Sequence, residues 1–152
     1  MSTRLASAGR LVNKNKAVSF KFNGKNLTGF AGDTLASALL ANDQMMVGRS
    51  FKYHRPRGVI ASGAEEPNGL VNLGTGSTFE PNQRITTTEL FDGLTATSQN
   101  HWPSLEFDIG AINAQLSRFM PAGFYYKMFI HPRPFWKYLY EPIIRHAAGL
   151  GK

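Results

Sequence analysis

The sequence predicts an α+β domain of the β-grasp class with an aromatic-rich helical extension at its carboxyl end. Apolar residues alternate before an Asn-Gly dipeptide, an apolar helical stripe follows soon after, and aromatic residues and prolines become frequent beyond Gln99. A hairpin followed by a helix that crosses the sheet opens few small folds other than the β-grasp. We therefore expect a basic flexible tail at residues 1–16, a β-grasp domain at 17–98 and a helical extension at 99–152.

The first element is a β-hairpin. Val18, Phe20 and Phe22 alternate with polar residues, which is the period of two of a half-buried strand. Asn23-Gly24 follows and accepts the positive φ values of a type I′ turn. A second strand at residues 25–30 should therefore fold back antiparallel on the first.

A helix should come next, because Leu35, Ala38 and Leu39 fall on one helical stripe. Asp33 is placed to cap its amino end, and Asn42 is expected to end it.

Three further strands are predicted after the helix. Residues 70–73 are short and apolar, residues 84–90 are rich in Thr with its branched Cβ, and residues 95–98 follow the Asp92-Gly93 turn. Beyond them, helices are expected at about 109–119 and 134–146, joined by an irregular segment around 121–123. So many aromatic side chains must pack on the β-domain or on another chain.

Composition excludes several kinds of site. The sequence has no cysteine, so disulfides, thiolate metal sites and thiol catalysis are excluded. The four histidines (His54, His101, His131 and His146) show no i, i+4 spacing, and a histidine metal site is not expected. With 17 Lys+Arg against 10 Asp+Glu, the net charge of +7 favours an anionic partner.

The positive charge is concentrated in residues 49–57, which we call the basic-aromatic stretch. It interleaves aromatic rings with cations, and its candidate binding residues are Arg49, Lys52, Tyr53, His54, Arg55 and Arg57. Two interpretations stay open: a surface that contacts an anionic partner, or a solvated strand edge that prevents aggregation. The acidic pair Glu65-Glu66 downstream could form salt bridges with Arg55 or Arg57.

The basic first sixteen residues could pass for a weak organelle-targeting peptide, but a frayed basic tail is the favoured interpretation. They contain no apolar run, so they do not form a secretory signal, and no stretch of the chain approaches the roughly 20 apolar residues of a membrane helix. A cytoplasmic protein is predicted.

Four segments, at residues 32–42, 48–68, 98–104 and 121–127, resemble in order the amino-terminal region of the alpha subunit of heterotetrameric sarcosine oxidase. The resemblance covers nearly the whole chain. It implies that this is the first domain of a longer polypeptide, ahead of a dinucleotide-binding domain and a folate-binding domain. It also implies partners, namely the rest of the alpha subunit and the beta, gamma and delta subunits.

The same resemblance implies what the complex does. It would oxidatively demethylate sarcosine to glycine with FAD, FMN, NAD and tetrahydrofolate, none of which this chain would bind. Related amine and proline dehydrogenases and cyanide synthases carry a ferredoxin-like [2Fe–2S] module here, with a Cys-x4-Cys-x2-Cys run after Pro-Arg-Gly. That spacing places Ala61, Glu66 and Gly69 at three ligand positions, and the fourth is expected between residues 75 and 84. The resemblance therefore implies a ferredoxin-like fold without its cluster.

Three function classes follow. The first is a non-catalytic structural or interaction domain of the sarcosine oxidase alpha subunit. The second is a nucleic-acid-binding module that uses residues 49–57 to stack bases and neutralise phosphates. The third, a small stand-alone enzyme, has the weakest support, because the sequence offers no nucleophile–base pair, no Gly-x-Gly-x-x-Gly motif and no carboxylate pair in context.

Overall fold

The structure is a computed structural model that describes residues 3–7, 9–119, 123 and 131–147. In chain order its strands are β1 (Asn13–Phe22), β2 (Lys25–Ala31), β3 (Gly48–Arg49), β4 (Pro56–Arg57), β5 (Leu70–Leu73), β6 (Glu80–Arg84) and β7 (Thr95–Ser98). Its α-helices are α1 (Leu35–Ala41), α2 (Ile112–Gln115), α3 (Arg133–Phe135) and α4 (Glu141–Ala147). No helix in these described ranges is long and apolar enough to cross a membrane.

One mixed sheet organises the domain. Its strand order is β2-β1-β7-β5-β6, and β3 pairs with β4 in a separate hairpin. The first strand pairs antiparallel with β2 and parallel with β7, so the start and the end of the domain lie side by side. The α+β, β-grasp prediction is confirmed.

The β1–β2 hairpin forms at the predicted place. Asn23 and Gly24 have φ values of 49° and 79°, as a turn with two left-handed residues requires. However, β1 begins at Asn13, four residues before the predicted start of the β-grasp domain at residue 17, and its register shifts between Asn13 and Ala17. Residues 13–17 are all exposed, and the sequence therefore shows no alternation of apolar and polar residues that would have indicated a strand there.

Helix α1 ends at Asn42 as predicted, but its amino-terminal cap is Thr34 rather than Asp33. Thr34 Oγ1 accepts from the Ser37 amide at 3.2 Å and the Thr34 amide donates to Ser37 Oγ at 3.0 Å, which is a capping box. Asp33 is buried and accepts from the Phe30 amide at 2.9 Å and from Ser37 Oγ at 2.7 Å. It therefore ties the end of β2 to the start of α1.

The core lies between one face of the sheet and α1. Its buried side chains come from β1, α1, β5, β7 and the segments between them: Val18, Phe20, Phe22, Leu35, Leu39, Val71, Ile85, Leu94 and Ala96. The alternation in β1 is therefore real, because its apolar residues face this core while Ser19 and Lys21 stay exposed.

The prediction of a strand at residues 84–90 is wrong. The strand is β6, at Glu80–Arg84, and the chain leaves the sheet at Ile85. The amides and the hydroxyls of Thr87 and Thr88 all donate to the carbonyl of Arg84 and close a turn there. Threonine hydroxyls compete with sheet pairing in this way, although the branched Cβ favours strands.

The extension is helical, but less regular than predicted. In place of one helix at 109–119, the chain forms three short helical pieces. They are a 3₁₀ turn at Ile109–Ala111, then α2, then a second 3₁₀ turn at Ser117–Phe119. The helix predicted at 134–146 is observed, with α3 and α4 joined by a π-helical turn at Trp136–Tyr140. Apart from Gly123, the segment predicted around 121–123 lies outside the described residues.

Part of the segment expected to be a flexible tail contacts the domain. Arg4 Nη2 lies 2.7 Å from Asp33 Oδ2, and its guanidinium stands 5.4 Å from the centre of the Phe30 ring. Next to it, Thr3 bonds through its amide and hydroxyl to the carbonyls of Ala41 and Leu40, at 3.1 and 2.6 Å. These contacts pin the start of the described chain across the end of α1.

Replacing Arg4 tests this attachment. Arg4→Gln should lower the free energy of unfolding by about 1–3 kcal/mol, because it leaves the buried Asp33 carboxylate without its cation. Arg10→Gln removes an exposed cation from the same segment and should change it by less than about 0.5 kcal/mol. Urea unfolding of the two variants measures the difference, and equal effects would contradict the attachment.

Candidate functional site

The basic-aromatic stretch folds as the β3–β4 hairpin. Gly48 pairs with Arg57 and Arg49 with Pro56, and the Ser50 amide donates to the Arg55 carbonyl at 3.0 Å. At the tip His54 has a φ of 53° and donates its amide to the Ser50 carbonyl at 2.9 Å. The hairpin separates the six candidate binding residues into an inward and an outward group.

Arg49 belongs to the inward group. The residue is 9% exposed, and its guanidinium donates to three carbonyls: Leu105 at 2.8 Å, His54 at 2.8 Å and Glu106 at 3.1 Å. Asn100 adds a bond from its amide nitrogen to the Arg49 carbonyl at 3.1 Å. Arg49 therefore holds the segment after β7 against the hairpin, and its donors are engaged inside the protein.

His54 belongs to the same group and meets the buried carboxylate of Asp108. The His54 Nδ1 donates to Asp108 Oδ2 at 2.7 Å, while Asp108 Oδ1 accepts from the amides of Trp102 and Gly110 at 3.0 and 3.1 Å. Arg49 Nε lies 3.6 Å from the same carboxylate. Burial raises the pKa of Asp108, but the Trp102 amide, His54 and the Gly110 amide outweigh it and hold the pKa below its ordinary value.

A histidine bonded to a buried aspartate is also part of many catalytic triads. Here the imidazole packs against Gly110, where an added Cβ would overlap the ring. That face of His54 therefore has no room for a substrate, and the pair fits the task of fixing the hairpin to residues 102–110.

The outward group consists of Lys52, Tyr53, Arg55 and Arg57. Lys52 Nζ lies 4.6 Å and Arg55 Cζ 4.7 Å from the centre of the Tyr53 ring, which is a cation–π arrangement with two cations. Arg57 is exposed in β4. These residues keep positive charge at the surface, and Arg57 also lines a cleft of about 220 Å³ with Ser50, Asn68 and Asn100.

The loop at residues 58–69, which we call the cluster loop, contains the three expected ligand positions. Glu66 is fully buried in it. Its Oε2 accepts from the amides of Ile60 and Ala61, both at 2.7 Å, and its Oε1 from those of Asn68 and Gly69, at 2.7 and 3.2 Å. Burial raises the pKa of Glu66, but these four amides together lower it below its ordinary value.

The salt bridges considered for Glu65 and Glu66 do not form. Neither residue belongs to an ion pair within the part of the chain that the structure describes. Glu65 is exposed and accepts from the Gly63 amide at 3.1 Å. Both carboxylates accept hydrogen bonds from backbone amides of their own loop instead.

The cluster loop does not fit a [2Fe–2S] cluster. Ala61 has no ligand atom, and a Cβ at Gly69 would lie 2.8 Å from Ile85 Cγ1, so that position has no space for a side chain. The carboxylate of Glu66 fills the loop at the second position. In addition, no group of three metal-ligating side chains occurs among the described residues.

Two residues of this region were missed by sequence reasoning. Asp108 directly precedes the helix that the sequence predicts from about residue 109, and an aspartate at that place is a capping signal that could have singled it out. Thr86, two residues beyond the range expected for the fourth ligand, is buried, and its hydroxyl donates to the Gly63 carbonyl of the cluster loop at 2.8 Å.

The histidines are not gathered at one site. His101 Nε2 lies 2.7 Å from Ser98 Oγ, whereas His54 binds the Asp108 carboxylate. Both His131 and His146 are exposed in the helical extension.

Comparison with known proteins gives the family. A family model described as 2Fe-2S iron-sulfur cluster binding domain matches residues 15–101, more than half of the chain, and the chain belongs to this family. Within it, the chain is 62% identical over 151 residues to sarcosine oxidase subunit alpha of Rhizobium meliloti (strain 1021). It is 39% identical over 94 residues to the subunit of the same name from Corynebacterium sp. (strain U-96).

These matches confirm the resemblance to the amino-terminal region of the sarcosine oxidase alpha subunit. They cover 99% and 60% of this chain but only 15% and 10% of the two relatives. A solved structure, that of L-proline dehydrogenase from P. horikoshii, matches 61% of this chain and 18% of its own with a TM-score of 0.45 and 24% identity.

A matched pair of arginine substitutions tests the division of the hairpin residues into an inward and an outward group. Arg49→Lys should lower the free energy of unfolding by about 1–3 kcal/mol, because an ammonium cannot reach all three carbonyls that the guanidinium binds. Arg57→Lys changes an exposed residue of the same hairpin and should have an effect below about 0.5 kcal/mol. Chemical unfolding measures both, and similar losses would contradict the division.

The lowered pKa of Asp108 predicts a pH dependence of stability. Because this pKa is lower in the folded than in the unfolded protein, its contribution is full above about pH 5 and is lost as the pH falls through the folded pKa. Glu66 and Glu106 act in the same direction. Urea unfolding from pH 6 to 3 should therefore show a shallower fall in Asp108→Asn than in the wild type, whereas Asp43→Asn, at an exposed loop acid, should follow the wild type.

Proposed function

We propose that this chain is a cluster-free ferredoxin-like domain of a sarcosine oxidase alpha subunit, and that it acts as a structural and interaction domain. The observation that carries the proposal is the cluster loop: a buried carboxylate and a closed glycine position stand where the family holds iron. Electron transfer through this domain would need a redox centre, and the described residues offer no ligand set for one.

The proposed assembly follows from the relatives. The complex would oxidatively demethylate sarcosine to glycine, with FAD, FMN, NAD and tetrahydrofolate bound outside this chain. The partners would be the rest of the alpha subunit and the beta, gamma and delta subunits, in the cytoplasm. The 62% identity over 151 residues to one alpha subunit supports this assignment.

Two surfaces are suited to hold partners. One is the outward group of the β3–β4 hairpin, where Lys52, Arg55 and Arg57 fit an acidic surface. The other is apolar and comes from residues 102–119, in which Trp102, Phe107, Ile109, Ile112 and Phe119 are all more than half exposed. Large exposed apolar patches of this kind mark protein interfaces.

Nucleic-acid binding is the second candidate, and the hairpin argues against it. Base stacking on Tyr53 would need an accessible ring face, whereas Lys52 and Arg55 already contact the ring. Arg49 and His54 are engaged by carbonyls and by Asp108. Two of the six predicted binding residues are thus committed to the fold.

Co-purification with the other parts of the enzyme tests the proposal. The tagged chain should be colourless and should recover the remainder of an alpha subunit or a beta subunit from a mixture. The double variant Lys52→Glu/Arg55→Glu should recover at least about tenfold less, because it reverses two charges at a surface that would face an acidic partner.

The control for this experiment is Lys16→Glu, which changes an exposed lysine on β1 away from the hairpin and should leave recovery unchanged. A flavin or iron–sulfur absorption band on the purified chain would refute the cluster-free, non-catalytic assignment. A salt-sensitive mobility shift with single-stranded oligonucleotides would favour the nucleic-acid alternative instead.

A further inference from the structure

The cluster loop is built around a negative charge. Four of its backbone amides point to one place, two from the beginning of the loop (Ile60 and Ala61) and two from its end (Asn68 and Gly69). Concave groups of backbone N–H donors of this kind bind anions, and iron–sulfur centres are among the anions they bind. A loop with this arrangement requires an acceptor, because unpaired buried amides are costly.

In this chain the acceptor is a side chain of the loop itself. The two carboxylate oxygens of Glu66 divide the amides, so that Oε2 takes the pair at the beginning and Oε1 the pair at the end. The carboxylate therefore closes the loop by joining residues 60–61 to residues 68–69. No single neutral side chain offers acceptors for four donors in this way.

The surroundings of Glu66 support an anion without a metal. Arg84 lies close, yet its Nε donates at 3.0 Å to the backbone carbonyl of Glu66. The nearest acid along the chain, Glu65, is exposed and accepts from the Gly63 amide. The charge of Glu66 is thus compensated chiefly by amide dipoles, which are the same donors that would face the sulfurs of a cluster.

We propose that the Glu66 carboxylate replaces the iron–sulfur cluster as the anion around which this loop folds, so that the loop keeps its shape without metal. Glu66 stands at the second of the three expected ligand positions, and the third is closed because Gly69 lies against Ile85. This inference goes beyond the proposed function, since it holds whether or not the chain assembles with an oxidase. It also defines the ligand that the loop would take if the side chain were shortened, namely a small carboxylate.

Amide hydrogen exchange of the wild-type chain is the first test. The amides of Ile60, Ala61, Asn68 and Gly69 should exchange at least about tenfold more slowly than those of Ser62 and Ala64 in the same loop. Equal exchange of the two sets would overturn the proposal. This test needs no variant, so it decides whether the proposal holds even if a substitution prevents folding.

A matched pair of neutral variants is the second test. Glu66→Gln keeps the size of the side chain but turns one acceptor into a donor, so at least two amides lose their partner. The four amides should then exchange at least about tenfold faster relative to amides of β1 and β7, which report global opening. Glu65→Gln should change only Gly63, its hydrogen-bond donor. Unchanged protection of the four amides in Glu66→Gln would overturn the proposal.

Chemical rescue is the third test, and it probes the ligand class. Glu66→Ala opens a space lined by the four amides, and added acetate should raise its melting temperature in a saturable way. Neither the wild type nor Glu65→Ala should respond to acetate beyond the effect of sodium chloride at equal ionic strength. An equal response of all three proteins would show that the amides do not form an anion site and would contradict the proposal.

Discussion

The shape of the cluster loop depends on one buried carboxylate. Glu66 accepts from four backbone amides, at 2.7 to 3.2 Å, and is fully enclosed. A buried charge is tolerated only where hydrogen bonds replace the water it has lost, and here the backbone supplies all of them. The loop and the carboxylate therefore stabilise each other. Thr86 and Arg84 then hold the loop to the segment at the end of β6.

A second buried carboxylate, that of Asp108, fixes the β3–β4 hairpin to residues 102–110. Asp108 joins His54 to the amides of Trp102 and Gly110. Arg49 binds the carbonyls of Leu105 and Glu106, which lie between those two amides in sequence. The β-grasp domain and the beginning of the extension are thereby one packed unit up to about residue 113, where Asn113 still reaches the Lys52 carbonyl at 3.5 Å. This places the charged tip of the hairpin beside the apolar residues of the extension, and the two proposed partner surfaces are neighbours.

The elements with a local signal could be predicted from the sequence. Alternation and the Asn-Gly turn identified the first hairpin, and the apolar stripe identified α1 and its end at Asn42. The strand at Leu70–Leu73 and that at Thr95–Ser98 were also placed correctly. The threonine run was misread, because its hydroxyls close a turn on Arg84 instead of pairing in the sheet.

The candidate site was harder to predict, because it depends on contacts between distant segments. Arg49 and Arg57 are the same residue type in one short stretch, and only the pairing of β3 with β4 decides that the first is buried and the second exposed. Asp108 lies more than 50 residues from its partners His54 and Arg49. For Glu66, the ligand spacing identified the position, whereas its four donors became visible only once the loop was closed.

The parallel pair of β1 and β7 has a consequence for the order in which the domain can form. The strand that joins the two halves of the sheet is the last of the described strands in sequence, since β7 lies between β1 and β5. Its pairing with β1 brings together residues separated by about 70 positions, such as Lys21 and Thr95, and such distant pairings are slow to form. During synthesis on the ribosome, β1 would keep an open sheet edge until β7 emerges, and an open edge of this kind can pair with another chain and start aggregation.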